Sequence, residues 1–291
     1  MALGPTTPRD AACLEGVDLH TDPTRSGLRR LRLALLACAG AAAALLLGLT
    51  PAAAQPTQYA ALGDSYSSGV GTRTYDPASG DCDRSPFAYP ELIAHRLGWH
   101  LSFAACADAR IGDVLSHQLG ALSASTQFVS ISIGGNDAGF GPVIQSCVLP
   151  LPLTCSRHIA GADDFIATRL PGLLDHLFAT IRARAPHALV AVVGYPRLFV
   201  PTSGRCASLP ADQVKLNHTG DLLAGVMGAR ARAHGFLYVD ARSAFTGHAI
   251  CSASEWLNGL SLPLMESFHP NRAGQAAYAD LVQSDFSAPH H

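Results

Sequence analysis

The chain has 291 residues, 48% hydrophobic and 14% charged, with a formal net charge of −2. That composition is enough for one sizeable core, and the charge gives no sign of a nucleic-acid partner. The 27 glycines are scattered and no Gly-x-Gly-x-x-Gly follows a strand, so a phosphate-cradling loop is not expected.

The amino terminus reads as an export segment. Arg25, Arg29, Arg30 and Arg32 precede an uncharged apolar run from Leu33 to Leu49, and Pro51-Ala52-Ala53-Ala54-Gln55 offers small residues for cleavage after Ala54. Residues 1–54 are therefore expected to be a leader and signal peptide, with an uncleaved membrane anchor over 33–49 as the alternative. Of the 8 cysteines, Cys13 and Cys38 fall in this leader. The others are Cys82, Cys106, Cys147, Cys155, Cys206 and Cys251. An even set in an exported chain argues for three disulfides, and sequence alone leaves about 15 pairings open. No Cys-x-x-Cys or His-x-x-x-His occurs, so a zinc site is not expected.

Apolar, β-rich runs lie at 57–62, 100–105, 127–133, 188–194 and 236–240. Helices are expected over 86–97, with Ser85 as N-cap, and over 165–185, 213–234 and 272–284. Strands alternating with helices predict an α/β fold, a parallel sheet covered on both faces. Its ligand site would lie outside the carboxyl ends of the strands. The segments 71–84, 146–162 and 195–210 carry the cysteines and read as irregular loops. Residues 55–291 form one expected domain.

Tyr59-Ala60-Ala61-Leu62 runs into Gly63-Asp64-Ser65 and then small residues that can open a helix. Such a turn holds a serine hydroxyl at the lip of a sheet, beside a helix N-terminus that favours negative charge. By itself the tripeptide equally fits an ordinary turn in which Asp64 or Ser65 caps a helix. Two more pieces stand downstream. Phe128-Val129-Ser130-Ile131-Ser132-Ile133 ends in Gly134-Gly135-Asn136-Asp137, and Glu266-Ser267-Phe268-His269-Pro270-Asn271 lies near the end of the chain.

Together these pieces resemble the GDSL serine hydrolases, also called the SGNH superfamily, in the pattern of their secreted actinobacterial members. The resemblance implies a three-layer α/β/α sandwich around a flavodoxin-like, five-stranded parallel sheet, the SGNH hydrolase fold. It implies an esterase or lipase in which Ser65 is the nucleophile and His269 the general base and acid. The oxyanion donors would be the N–H of Ser65, the amide of Asn136, and an N–H from Ala105-Cys106-Ala107-Asp108-Ala109. Asp108 holds the family's usual glycine position there. A backbone donor survives that change, while the carboxylate would oppose charge building on an oxyanion; Gly112 is a weaker substitute donor. Many relatives have an aspartate three residues before the histidine, where this chain has Glu266. Either that carboxylate or the main-chain carbonyl of Glu266 or Ser267 would orient His269, and a dyad with carbonyl support is favoured. The resemblance further implies the pairings Cys82–Cys106, Cys147–Cys155 and Cys206–Cys251.

The expected ligand is a small-molecule or lipid ester. No metal or organic cofactor and no nucleic acid are expected, membrane contact would come only through the leader or lipid substrate, and a monomer is anticipated. The rival readings are a carbohydrate O-deacetylase of the same superfamily and a catalytically impaired binding module. Tyr89-Pro90, Phe140, Tyr195-Pro196, Trp256 and Leu262 could line a pocket but read first as core. Asp64 and Asp137 read as turn-holding residues.

Overall fold

The computed structural model describes residues 55–148, 154–200, 206 and 208–289. The leader, with Cys13, Cys38 and the apolar run, lies outside these residues. Five strands, β1 (Gln58–Gly63), β2 (His100–Phe103), β3 (Phe128–Ser132), β4 (Leu189–Val193) and β5 (Leu237–Val239), pair in parallel in the order β2-β1-β3-β4-β5. Each falls within two residues of its apolar run, and the central strands β1, β3 and β4, buried on both faces, need continuous hydrophobicity. The order reverses beside β1, so the crevice between β1 and β3 is where an open α/β sheet places its site.

Side chains alternate across the sheet. Tyr59, Ala61, Ala191 and Val193 feed one core, and Ala60, Leu62, Val129, Ile131, Val190 and Val192 feed the other. Helices α1 (Ser65–Ser68), α2 (Tyr89–Leu97), α3 (Phe140–Val148), α4 (Cys155–Thr168), α5 (Leu170–Arg184), α6 (Pro210–Ala233) and α7 (Arg272–Ser287) follow in chain order. The first core takes Tyr89 and Ile93 from α2 and Tyr278, Val282 and Phe286 from α7. The second takes Leu170, Leu174, Leu177 and Ile181 from α5 and Met227 and Ala231 from α6. The result is the expected three-layer sandwich.

Three local expectations are corrected. The helix read over 165–185 is two helices, α4 and α5, broken at Arg169, with Pro171 in the first turn of α5 where its missing N–H costs nothing. The stretch 146–162 is not a continuous loop, since α3 runs to Val148 and α4 begins at Cys155. Ser85 does not cap α2, whose N-cap is Ala88. The Ser85 hydroxyl instead accepts from Phe87 N–H at 3.0 Å and from Thr72 Oγ1 at 2.7 Å.

The disulfides are Cys82–Cys106, Cys147–Cys155 and Cys206–Cys251, closing separations of 24, 8 and 45 residues.

Candidate active site

Gly63 ends β1 with φ of +116°, a backbone region closed to most side chains, and a Cβ there would collide with the Ser132 carbonyl. The turn thus brings β1 hard against β3 before the chain enters α1. Asp64 caps α1: its Oδ1 accepts from Tyr66 N–H at 3.1 Å and from Ser132 Oγ at 2.7 Å, and its Oδ2 accepts from the Tyr195 hydroxyl. Burial, opposed by these donors, raises its pKa to about 6. Ser65 follows as the first residue of the helix, where helix geometry leaves a backbone N–H without an intrahelical acceptor. No acceptor for that N–H lies among the described residues.

Ser65 Oγ lies 2.8 Å from His269 Nε2, and His269 Nδ1 lies 2.9 Å from the Ser267 carbonyl. A carbonyl can only accept, so Nδ1 carries the proton and Nε2 is left to accept from the serine hydroxyl. Burial pulls the His269 pKa down to about 4, against the upward pull of the Ser267 carbonyl and then of the Asp108 carboxylate. Tyr66 and Phe140 flank the ring, with centroids 5.3 and 6.1 Å away.

Glu266 does not reach the imidazole. It is buried, its Oε1 accepts from the Tyr75 hydroxyl at 2.5 Å, and Oε2 has no partner among the described residues. Of the proposed orienters, the Ser267 carbonyl is the one in contact with His269.

Asn136 follows β3. Its Nδ2 donates to the Ala109 carbonyl at 3.1 Å, which leaves its second N–H free. Asp108 has φ of +60°, a left-handed conformation that favours glycine and that aspartate tolerates better than most residues. Its side chain is exposed, and its N–H meets no acceptor among the described residues. Ser65, Asp108, Asn136 and His269 line one cleft; Gly112 does not. Asp137 accepts from Ile111 N–H at 3.1 Å, fixing the segment after Asp108 to the end of β3.

Beside Ser65 an apolar pocket, partly open to solvent, runs between α3, α4 and α6. Phe140, Ile144, Ile166, Leu216 and Leu223 line it, as does Tyr195. Phe140 and Tyr195-Pro196, read first as core, are therefore pocket residues. Tyr89 stays in the core, Trp256 stacks on His248, and Leu262 is exposed.

Sequence reasoning missed three supports. The Tyr195 hydroxyl accepts from Gly135 N–H at 3.2 Å while donating to Asp64, so one phenol joins the turns that carry Asn136 and Ser65. Asn258 donates to the Gly71 carbonyl at 2.8 Å and the Glu266 carbonyl at 3.2 Å, clamping the His269 loop. Gln118 brackets Gly63, accepting from its N–H at 2.7 Å and donating to its carbonyl at 2.9 Å. No local motif marks any of them.

A serine hydroxyl held to a carbonyl-oriented imidazole, beside free N–H donors at a helix start, is the equipment of a serine acyl-transfer enzyme. The comparisons agree. The GDSL-like Lipase/Acylhydrolase family matches residues 61–277, and the chain belongs to that family. It is 47% identical over 261 residues to Lipase 1 of Streptomyces coelicolor, covering 86% of this chain and 96% of that one. Against the crystal structure of the extracellular lipase of Streptomyces rimosus the TM-score is 0.76 at 42% identity, over 78% of this chain and 99% of the other. Phospholipase A1 of Streptomyces albidoflavus gives 0.76 at 43%, over 79% and 99%. The chain is an ester hydrolase with the SGNH fold.

Proposed function

We propose that this enzyme hydrolyses lipid carboxylic esters through an acyl-Ser65 intermediate. The observation that carries the reading is the relay from Ser65 Oγ through the His269 ring to the Ser267 carbonyl, at 2.8 and 2.9 Å. Ser65 Oγ attacks the ester carbonyl as its proton passes to Nε2. The tetrahedral oxyanion takes hydrogen bonds from the N–H groups of Ser65 and Asp108 and the free Nδ2–H of Asn136. The imidazolium then gives its proton to the departing alkoxide, leaving the acyl-enzyme. Water, deprotonated by His269, attacks that ester, and the fatty acid leaves with Ser65 restored. The Ser267 carbonyl holds the ring tautomer throughout, and Glu266 takes no part in proton transfer.

The apolar pocket beside Ser65 supports an acyl chain longer than acetate, which favours lipid esters over acetylated sugars. Each methylene buried there is worth about 0.8 kcal/mol. We further propose export with cleavage after Ala54. The relative from Streptomyces rimosus, an extracellular lipase, supports that reading.

A p-nitrophenyl ester series with purified protein tests this. kcat/KM is expected to rise from acetate to medium or long chains, and Ser65→Ala to abolish turnover across the series. Retention of about a tenth of the wild-type rate in Ser65→Ala, far above the losses on removing a triad member, would refute the nucleophile. Best turnover on the acetate would refute the acyl-pocket assignment.

A further inference from the structure

Eight large hydrophobic side chains are conspicuously exposed among the described residues, and four of them stand in one six-residue stretch. Leu260, Leu262, Leu264 and Met265 are 56%, 81%, 65% and 41% exposed. The others are Leu97 in α2, Leu173 in α5, and Leu209 and Val214 at the start of α6. The segment 256–265 contains no charged residue. An apolar patch gathered on one loop marks a surface that meets something apolar.

The loop is held in shape rather than left free. Ser267 Oγ accepts from Ser261 N–H at 3.0 Å and donates to the Ser261 carbonyl at 3.3 Å. Asn258 fixes the base of the loop, accepting from Phe268 N–H at 2.9 Å and donating its own N–H to the His269 carbonyl at 2.8 Å. Ser267 therefore has two tasks: its carbonyl orients His269 and its hydroxyl closes the apolar loop.

Leu260, Leu264 and Met265 line the same cleft as Ser65 and His269, so the patch is continuous with the mouth of the site. Leu262 is the most exposed of the four. Asp81, Asp83 and Asp108 also line the cleft, and the loop offers no cation. An anionic surface would be repelled and an uncharged or zwitterionic one accepted.

We propose that residues 260–265 dock the enzyme on the surface of a zwitterionic lipid aggregate, with Leu262 as the deepest anchor. The inference rests on the lipid-ester reading of the active site and adds the physical form of the substrate: molecules drawn from an interface. Docking would set the cleft mouth against the lipid, so that an ester reaches Ser65 without its acyl chains crossing water.

Sedimentation with sucrose-loaded diether phosphatidylcholine vesicles measures docking, because these lipids contain no ester for the enzyme to cleave. Wild type is expected to co-sediment. Leu262→Glu is expected to weaken vesicle affinity about tenfold or more, the effect of withholding one leucine side chain from an apolar phase. Leu262→Trp is expected to strengthen it. On soluble p-nitrophenyl acetate both variants should match wild type. Equal vesicle binding by all three proteins, no binding by wild type, or tighter binding to phosphatidylglycerol than to phosphatidylcholine would overturn the proposal. So would a wild-type dimer in light scattering that Leu262→Glu dissociates, since the loop would then meet a second copy. Failure of docking with ester turnover intact refutes this inference alone; loss of turnover with docking intact refutes the catalytic reading alone.

Discussion

Glu266 stands three residues before His269, yet its carboxylate accepts from Tyr75 at 2.5 Å and leaves the imidazole of His269 to the Ser267 carbonyl. Glu266→Gln is therefore expected to keep kcat within a few-fold of wild type. An acid that balanced the imidazolium would cost orders of magnitude when neutralised. Steady-state kinetics with a thermal melt separate the cases, and a thousandfold drop in kcat with an unchanged melt would restore the triad.

Burial sets the acid limit of activity. The base form of His269 is neutral, and a pKa lowered from 6.5 to about 4 keeps it neutral well into the acidic range. kcat/KM should hold from neutrality downward and fall as pH approaches about 4. Stability behaves differently. Between pH 6.5 and about 4 an unfolded His269 binds a proton that the folded one refuses, so its contribution is lost as pH falls through that window. Asp64, raised from 3.8 to about 6, has the opposite sign: its contribution is present at low pH and lost as pH rises through about 6. The two oppose each other between about pH 4 and 6, where melting should change little on their account. A pH–rate profile with its acid limb centred at 6.5 would show that the His269 ring is solvated.

Asp108 combines a backbone demand with a charge. Its φ of +60° suits glycine and is tolerated by asparagine, and its carboxylate faces the cleft from an exposed position. Solvent screening reduces the electrostatic penalty on an oxyanion to a few tenths of a kcal/mol, so Asp108→Gly and Asp108→Asn should each raise kcat about 1.5- to 2-fold. Asp108→Ala also removes the charge but strains the left-handed backbone by about 1–2 kcal/mol, and should melt earlier than the asparagine variant. If neither Gly nor Asn exceeds wild type on one soluble ester, the penalty does not exist.

The architecture was legible because five apolar runs and their alternation with helices are local signals. The serine, the Gly-Gly-Asn-Asp turn and the late histidine were legible because each is a short motif at the end of an element. What failed was either masked locally or made by distant partners. The first turns of α4 read as loop because Pro150 and Pro152 precede them and Cys155 and Gly161 lie within them, although Ile159, Ala162 and Ile166 keep helical spacing. Tyr195 meets Asp64 across 131 residues and Asn258 meets Gly71 across 187, separations that no window can read. Whether Glu266 reaches His269 depends on a side-chain direction that spacing does not encode.

The disulfides staple loops around the site, and Cys82–Cys106 ties down the segment carrying Asp108. Chain entropy gives about 2.5–4 kcal/mol for loops of these sizes. Protein beginning at Gln55 should show no free thiol when titrated under denaturing, non-reducing conditions. Two or more would contradict the pairing.

The most direct test of the central claim is peptide mass spectrometry after reaction with a serine-directed alkyl phosphonate. The account predicts one adduct per chain, on the peptide containing Ser65, with labelling slowed by orders of magnitude in His269→Ala, which lacks the base. An adduct on any other serine, or equally fast labelling of Ser65 without His269, would contradict it.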